Sequence, residues 1–183
     1  MPELRCLLVG WEDPRYRGPF RSYGAELRHI AEQERLGDSL IISPPRPEAP
    51  QLMAAADIVA LPSVGDPCPL VVMEAMATGK AVIGADSGGI PEEVVDGVTG
   101  FLVPPGSVEA LADRIVTLAR DADLRARMGR AARRRAEACF DEARLAAEFA
   151  PIYEALAGRS SARNHRAGRY QTLPSDPTAP DAR

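Results

Sequence analysis

Short runs of branched apolar residues alternate along the chain with longer segments in which apolar residues recur at helical spacing. Leu4–Val9, Leu40–Ile42, Asp57–Leu61, Ala81–Ala85 and Gly100–Val103 are apolar almost throughout, not at every second position. That is the pattern of strands covered on both faces. Between them the pattern predicts helices over Ser22–Leu36, Glu48–Ala55, Pro69–Thr78, Pro91–Val95 and Ser107–Arg120. Strands alternating with helices in this way predict parallel βαβ units, an α/β architecture, rather than a meander or a helical bundle.

Boundary residues support several of these helices. Gly79 follows the apolar run Leu70–Ala77 where a left-handed residue ends a helix. Ser107, with Glu109 behind it, suits an N-cap and an acidic first turn, and Leu111, Ile115 and Leu118 then mark one buried stripe. After Asp121 the pattern is purely helical: Leu124–Ala138, then a last helix from Glu142 to Leu156 with the stripe Leu145, Phe149, Ile152, Tyr153 and Leu156. Pro151 inside that stripe removes a backbone donor, so a kink is expected near Ala147–Pro151. From Gly158 on, few apolar residues remain among many Pro, Ser and Arg, which predicts one folded domain over residues 1–157 and a disordered tail over 158–183.

Composition narrows the function classes. With 183 residues, 45% hydrophobic and 26% charged, the chain suits one full-sized globular domain and no more. No apolar stretch reaches the roughly 18 residues of a membrane span, though peripheral contact with a membrane stays open. The start, MPELRCLLVGWED, lacks the order of a secretory signal, so a cytoplasmic location is expected. Cys6, Cys68 and Cys139 are odd in number and without CxxC spacing, and His29 and His165 stand alone, so neither a disulfide framework nor a metal site is expected. The net charge of −4 argues against nucleic acid as a partner. The basic run Arg125, Arg127, Arg130, Arg133, Arg134 and Arg135 has no aromatic residues for base stacking and reads as a solvated helix face.

The candidate chemistry lies in Ser63–Glu74, SVGDPCPLVVME, just after the third predicted strand. In an open parallel sheet ligands bind beyond the carboxyl ends of strands. Pro69 suits the first position of the following helix, which would leave the N–H groups of Leu70, Val71 and Val72 facing outward with the positive end of the helix dipole. A phosphate or diphosphate fits such a site. Glu74 stands among the apolar neighbours Val71, Val72, Met73 and Met76, where a carboxylate is costly unless it accepts hydrogen bonds, for instance from the vicinal hydroxyls of a ribose. Asp66 at the mouth of the turn would hold further hydroxyls, giving the layout of a nucleotide sugar. The plainer alternative is that Asp66-Pro67 is only a turn opener and Glu74 a surface residue.

A second loop, ADSGGIPEEV, follows the fourth strand. Gly88 and Gly89 allow close backbone approach to a ligand, and Pro91, Glu92 and Glu93 read as a first helical turn whose acids the helix dipole explains. Neither GxGxxG nor a Walker A sequence is present, so a nucleotide would be held by another arrangement.

The run Asp57–Gly106, DIVALPSVGDPCPLVVMEAMATGKAVIGADSGGIPEEVVDGVTGFLVPPG, resembles the donor-binding domain of retaining glycosyltransferases of the GT-B fold, the group 1 or family four type. More loosely the likeness extends from Leu4 to Leu156 and takes in Val9–Gly10. It implies a Rossmann-like, doubly wound parallel sheet, the C-terminal half of a GT-B fold, and a nucleotide-diphosphate sugar as donor substrate with no cofactor and no metal. In that family two glutamates separated by seven residues bind sugar hydroxyls and ribose, while helix-start amides take the phosphate. The matching positions are Asp66, Glu74 and the backbone of Leu70 and Val71, with Cys68, Pro69, Gly10, Gly88 and Gly89 lining the site. Aspartate replaces the first glutamate, and Pro-Cys-Pro stands where Gly-Phe-Gly is common.

Two expectations follow from what this sequence lacks. It begins at what looks like the second strand of the donor domain, without the first strand or the arginine and lysine that follow it. In the order 3-2-1-4-5-6 the first strand is central, so Leu4–Val9 and Asp57–Leu61 would lack a shared neighbour. The family resemblance also implies an acceptor-binding domain, which another chain would have to supply. A transferase donor half is thus one reading; a noncatalytic fragment that binds a nucleotide or a partner protein is the other. A receiver-like signalling domain would need an acidic cluster after its first strand, which Glu12 and Asp13 imitate only weakly.

Overall fold

The computed structural model describes residues 4–10 and 17–158. Glu12, Asp13, His165 and the tail expected beyond Gly158 lie outside the described residues. The elements run β1 (Cys6–Val9), α1 (Tyr23–Gln33), β2 (Leu40–Ser43), α2 (Ala49–Ala55), β3 (Ile58–Leu61), α3 (Leu70–Ala77), β4 (Ala81–Ala85), α4 (Ile90–Glu93), β5 (Gly100–Val103), α5 (Val108–Arg120), α6 (Ala122–Cys139) and α7 (Glu142–Gly158). A 3-10 turn, Gly37–Ser39, leads into β2.

Every strand pairing is parallel, but the strands form two sheets. β1 pairs with β2, Cys6 opposite Leu40 and Val9 opposite Ser43. β4 lies between β3 and β5, with Ile58 opposite Ala81 and Val82 opposite Gly100. Among the described residues no strand joins β1 to β3. The orders β2-β1 and β3-β4-β5 are the two flanks of a doubly wound order whose central strand would stand between them.

The main core is built around β4, buried at all five positions. Val82 faces Val72, Ala75 and Met76 of α3, Ile90 and Val94, and Ala132 and Ala136 of α6. Ala81 and Ile83 face the other way, toward Phe101, Val103, Leu118 and Met128, with Leu111 and Ile115 of the α5 stripe against them. Each large side chain buried here contributes roughly 1.5–3 kcal/mol relative to exposure. Helices therefore cover both faces of this sheet, as its apolar strands require.

Local signals place the helix ends. Ser107 Oγ accepts the Ala110 N–H at 3.2 Å, and an Asp121 carboxylate oxygen accepts the Leu124 N–H at 2.8 Å. Gly79 takes φ +73° and closes a Schellman motif, its N–H bonded to Met76 and that of Lys80 to Ala75. α1 ends at Gln33, before the expected Leu36, because Arg35 adopts the left-handed conformation, φ +54°, and closes the same motif. A non-glycine residue there costs about 1 kcal/mol, and no glycine marks the stop in the sequence.

The basic run on α6 is more than a solvated face. Arg125 donates to the last carbonyls of α5, at Leu118 and Ala119. Arg133 donates to the Ala77 carbonyl that ends α3, and Arg135 to the carbonyls of Glu92 and Glu93 that end α4. Each cation meets the negative end of a neighbouring helix, where such contacts stabilise by roughly 0.3–1 kcal/mol.

α7 continues through Pro151 without interruption. Its apolar stripe is uncovered: Leu145, Phe149, Ile152, Tyr153 and Leu156 are between 45% and 67% exposed.

Candidate functional site

The carboxyl ends of β3 and β4 are in register, Leu61 opposite Gly84, so the segments 62–69 and 86–89 leave the sheet at one edge. They are tied to each other. The Gly65 N–H donates to Ser87 Oγ at 3.0 Å, and the Gly89 N–H donates to the Asp66 carbonyl at 2.8 Å. Gly88 has φ +63°, and a Cβ there would stand 2.1 Å from the Asp66 carbonyl oxygen; one at Gly89 would stand 2.1 Å from that of Pro67. The close approach permitted by this glycine pair is made by the chain's own turn.

Asp66 is half-buried, and its Oδ1 accepts the Cys68 N–H at 3.3 Å. This is the side-chain-to-backbone bond of an aspartate that opens a turn. Cys68 is exposed and Pro69 is buried. Pro69 is the N-cap of α3 and not its first helical residue, with φ −77° and ψ 96°. Its carbonyl accepts the Val72 N–H at 2.8 Å, so Val72 is engaged, contrary to the expectation from sequence. The N–H groups of Leu70 and Val71 find no backbone acceptor among the described residues.

Glu74 corrects a second argument from sequence. Val72, Ala75 and Met76 carry the buried face of α3, while Leu70, Val71 and Glu74 share the exposed one. Its carboxylate therefore bears no desolvation cost that a ligand must relieve. The physical oddity on this face is the apolar pair beside the free amides, with Leu70 64% exposed and Val71 38%. Gly10 follows β1 in the other sheet, exposed, with its N–H donated to the Ser43 carbonyl at 3.3 Å. The structure thus gathers Asp66, Cys68, Pro69, Gly88 and Gly89 by direct contacts at one edge, with the Leu70 and Val71 amides on the helix that follows. Gly10 belongs to the separate β1–β2 unit.

Glu93 joins this cluster, although the helix dipole was enough to explain it in sequence. Glu92 is exposed as a first-turn acid should be, but Glu93 is only 5% exposed and its Oε2 is buried with no partner. Burial, reinforced by the charges of Asp66 and Glu92, pushes its carboxyl up to about 7, while a hydrogen bond with the Cys68 side chain pulls the other way. The signal available in sequence was the doublet itself, since successive helical residues diverge by about 100° and cannot share one face.

Two open cavities lie elsewhere. One of about 640 Å³ is lined by Arg28, Ala31, Glu32, Arg35, Gly37, Leu40 and Ile42, and another of about 490 Å³ by Gly79 and residues of α6. Neither includes Asp66, Glu74 or Glu93. Among the described residues no three His, Cys, Asp or Glu side chains are placed to hold a metal ion. No helix there is long and apolar enough to cross a membrane.

Residues 1–135 match the family model described as "Glycosyl transferases group 1". The chain is 37% identical over 171 residues to a D-inositol 3-phosphate glycosyltransferase of Streptomyces avermitilis, covering 90% of this chain and 36% of that one. The Anabaena protein HepE, solved in complex with UDP, superposes with a TM-score of 0.77 at 32% identity, over 85% of this chain and 42% of HepE. The C-terminal domain of a glycosyl transferase group 1 family protein, LpcC of Francisella tularensis, superposes with a TM-score of 0.60 at 29% identity, over 65% of this chain and 63% of that domain. The chain spans about a third of the length of the curated relatives it matches. Its α/β fold corresponds to the C-terminal half of a GT-B enzyme, and the chain belongs to the glycosyl transferases group 1 family.

Proposed function

We propose that this chain is the donor-binding half of a retaining, metal-independent glycosyltransferase that takes a sugar from a nucleoside-diphosphate sugar. The observation that carries the reading is the start of α3: two unengaged N–H groups, Leu70 and Val71, at the carboxyl edge of a parallel sheet, with Asp66 before them and the unpaired Glu74 one turn on. HepE, similar in fold, has also been solved with UDP-glucose, superposing on this chain with a TM-score of 0.74 at 31% identity.

In this reading the amides and the helix dipole hold the diphosphate and stabilise the charge it gains as the glycosidic bond breaks. Glu74 accepts from the ribose hydroxyls. Asp66 keeps its turn with Oδ1 and offers Oδ2 to hydroxyls of the transferred sugar. Cys68 and Pro69 line the sugar side, and Gly88, Gly89 and Gly10 border the crevice. The acceptor site comes from an acceptor-binding domain outside residues 1–183.

The exposed apolar residues of β1 and α7 favour a second reading, in which the chain binds a nucleotide or partner protein without transferring sugar. Calorimetric titration with UDP-glucose and GDP-mannose tests the donor site. One of the two binds to the chain, and Glu74→Ala weakens that binding at least tenfold. A folded sample that binds neither sinks the donor site. Sugar transfer after an acceptor-domain polypeptide is added separates the catalytic reading from the noncatalytic one.

A further inference from the structure

Glu93 has no assigned part in donor binding, and its surroundings are those of a working group. Its side chain is buried, one carboxyl oxygen lacks a partner, and the charges of Asp66 and Glu92 and a hydrogen bond with the Cys68 side chain act on the carboxyl. On the other side its carbonyl and that of Glu92 are held at 2.8 Å by Arg135 of α6, so α4 is fixed to the core. Above it, Asp66 is fixed to the start of α4 through the Gly89 N–H. The turn and the short helix that carries Glu93 are therefore tied together.

We propose that Glu93 is a positioning residue of the donor site, acting through Cys68 to hold the Asp66–Pro69 turn in the shape that presents Asp66 and the Leu70 and Val71 amides. The proposal rests on the donor reading above. Cys68 stands where the family commonly has an aromatic residue, and a thiol is too small to pack the turn by bulk. A hydrogen-bonded carboxyl beneath it supplies the missing constraint. Glu93 works as the neutral acid: the groups facing it are Asp66 and Cys68 from the turn and Glu92 from its own helix, while Arg135 of α6 engages the backbone carbonyls. Ionised, it would add a third negative charge under a site that receives a diphosphate.

Proton linkage fixes the sign. A bound diphosphate disfavours the ionised form further, so donor binding takes up a proton near neutrality. The sugar-bound diphosphate of UDP-glucose does not itself titrate between pH 6 and 8. Its affinity for the chain should fall roughly two- to fivefold across that range, for a shift of about half to one pKa unit. Glu93→Gln, neutral at every pH and still able to accept from Cys68, should bind UDP-glucose at the low-pH affinity throughout, whereas Glu93→Ala should bind more weakly at both ends.

Carbon-13 NMR of the glutamate carboxyls in the unliganded chain is the second readout, with one resonance titrating near pH 7 and vanishing in Glu93→Gln. Affinity that ignores both pH and Glu93→Gln overturns the role of Glu93 and leaves the donor site standing. A Glu93 resonance that titrates in the ordinary carboxyl range overturns it as well. Binding of neither UDP-glucose nor GDP-mannose at any pH, with Glu93 still titrating near 7, overturns the donor reading and the role built on it.

Discussion

β1 and β4 are written in much the same alphabet, CLLV and AVIGA, and they sit in opposite environments. β4 has a strand on each edge and helices on both faces, and none of its residues is more than marginally accessible. β1 has one neighbour, and Leu7, Leu8 and Val9 are 37–43% exposed. Parallel strands are stable when both faces and both edges are covered. β4 meets that condition within this chain, and β1 does not. The catalytic half of the contrast follows: the residues proposed to meet donor lie at the edge of the well-packed unit, with Gly10 alone on the other.

Core truncation should separate the two units most strongly. Ile83→Ala should cost about 3 kcal/mol in denaturant unfolding, while Leu8→Ala should cost less than about 1. Equal losses would break the contrast. Amide hydrogen exchange should agree, with β1 amides exchanging through local openings and those of β4 only through global unfolding.

The next effect is that of Glu93. Its folded-state pKa, about 7, lies above the ordinary 4.5, so its contribution is fully present below about pH 4.5 and is lost as pH rises to about 7. The loss should be on the order of 2 kcal/mol once solvent screening is allowed for. Thermal unfolding from pH 4.5 to 8 should show this slope in the wild type and not in Glu93→Gln.

Smaller still is the difference within the basic helix. Arg135→Met removes the clamp on α4 and should cost about 1 kcal/mol. Arg134→Met, at an exposed position, should change stability by less than about 0.5 kcal/mol.

The contrast also shows where sequence is readable. All five strands were legible because an unbroken apolar run has few alternatives in a chain of alternating elements, and Ser107 and Gly79 marked helix ends by local chemistry. What depends on other parts of the chain was not. Glu74 is exposed although its sequence neighbours are apolar, because the neighbours of a residue in sequence do not all share its helical face. Val72 was counted among the free amides because the first turn was placed one residue early. Arg133 and Arg135 looked like a solvated charge run because their partners are carbonyls 56 and 42 residues away. Glu93 was set aside for the same reason, since Asp66 and Cys68, which act on its carboxyl, stand in a different loop.

The central claim, that donor meets this chain at the start of α3, is most directly tested by mapping amide chemical shifts as UDP-glucose is added. The largest changes should fall on Leu70 and Val71 and on residues 86–89. Changes confined to the cavity between α1 and β2, at Arg28, Arg35 and Gly37, would contradict it.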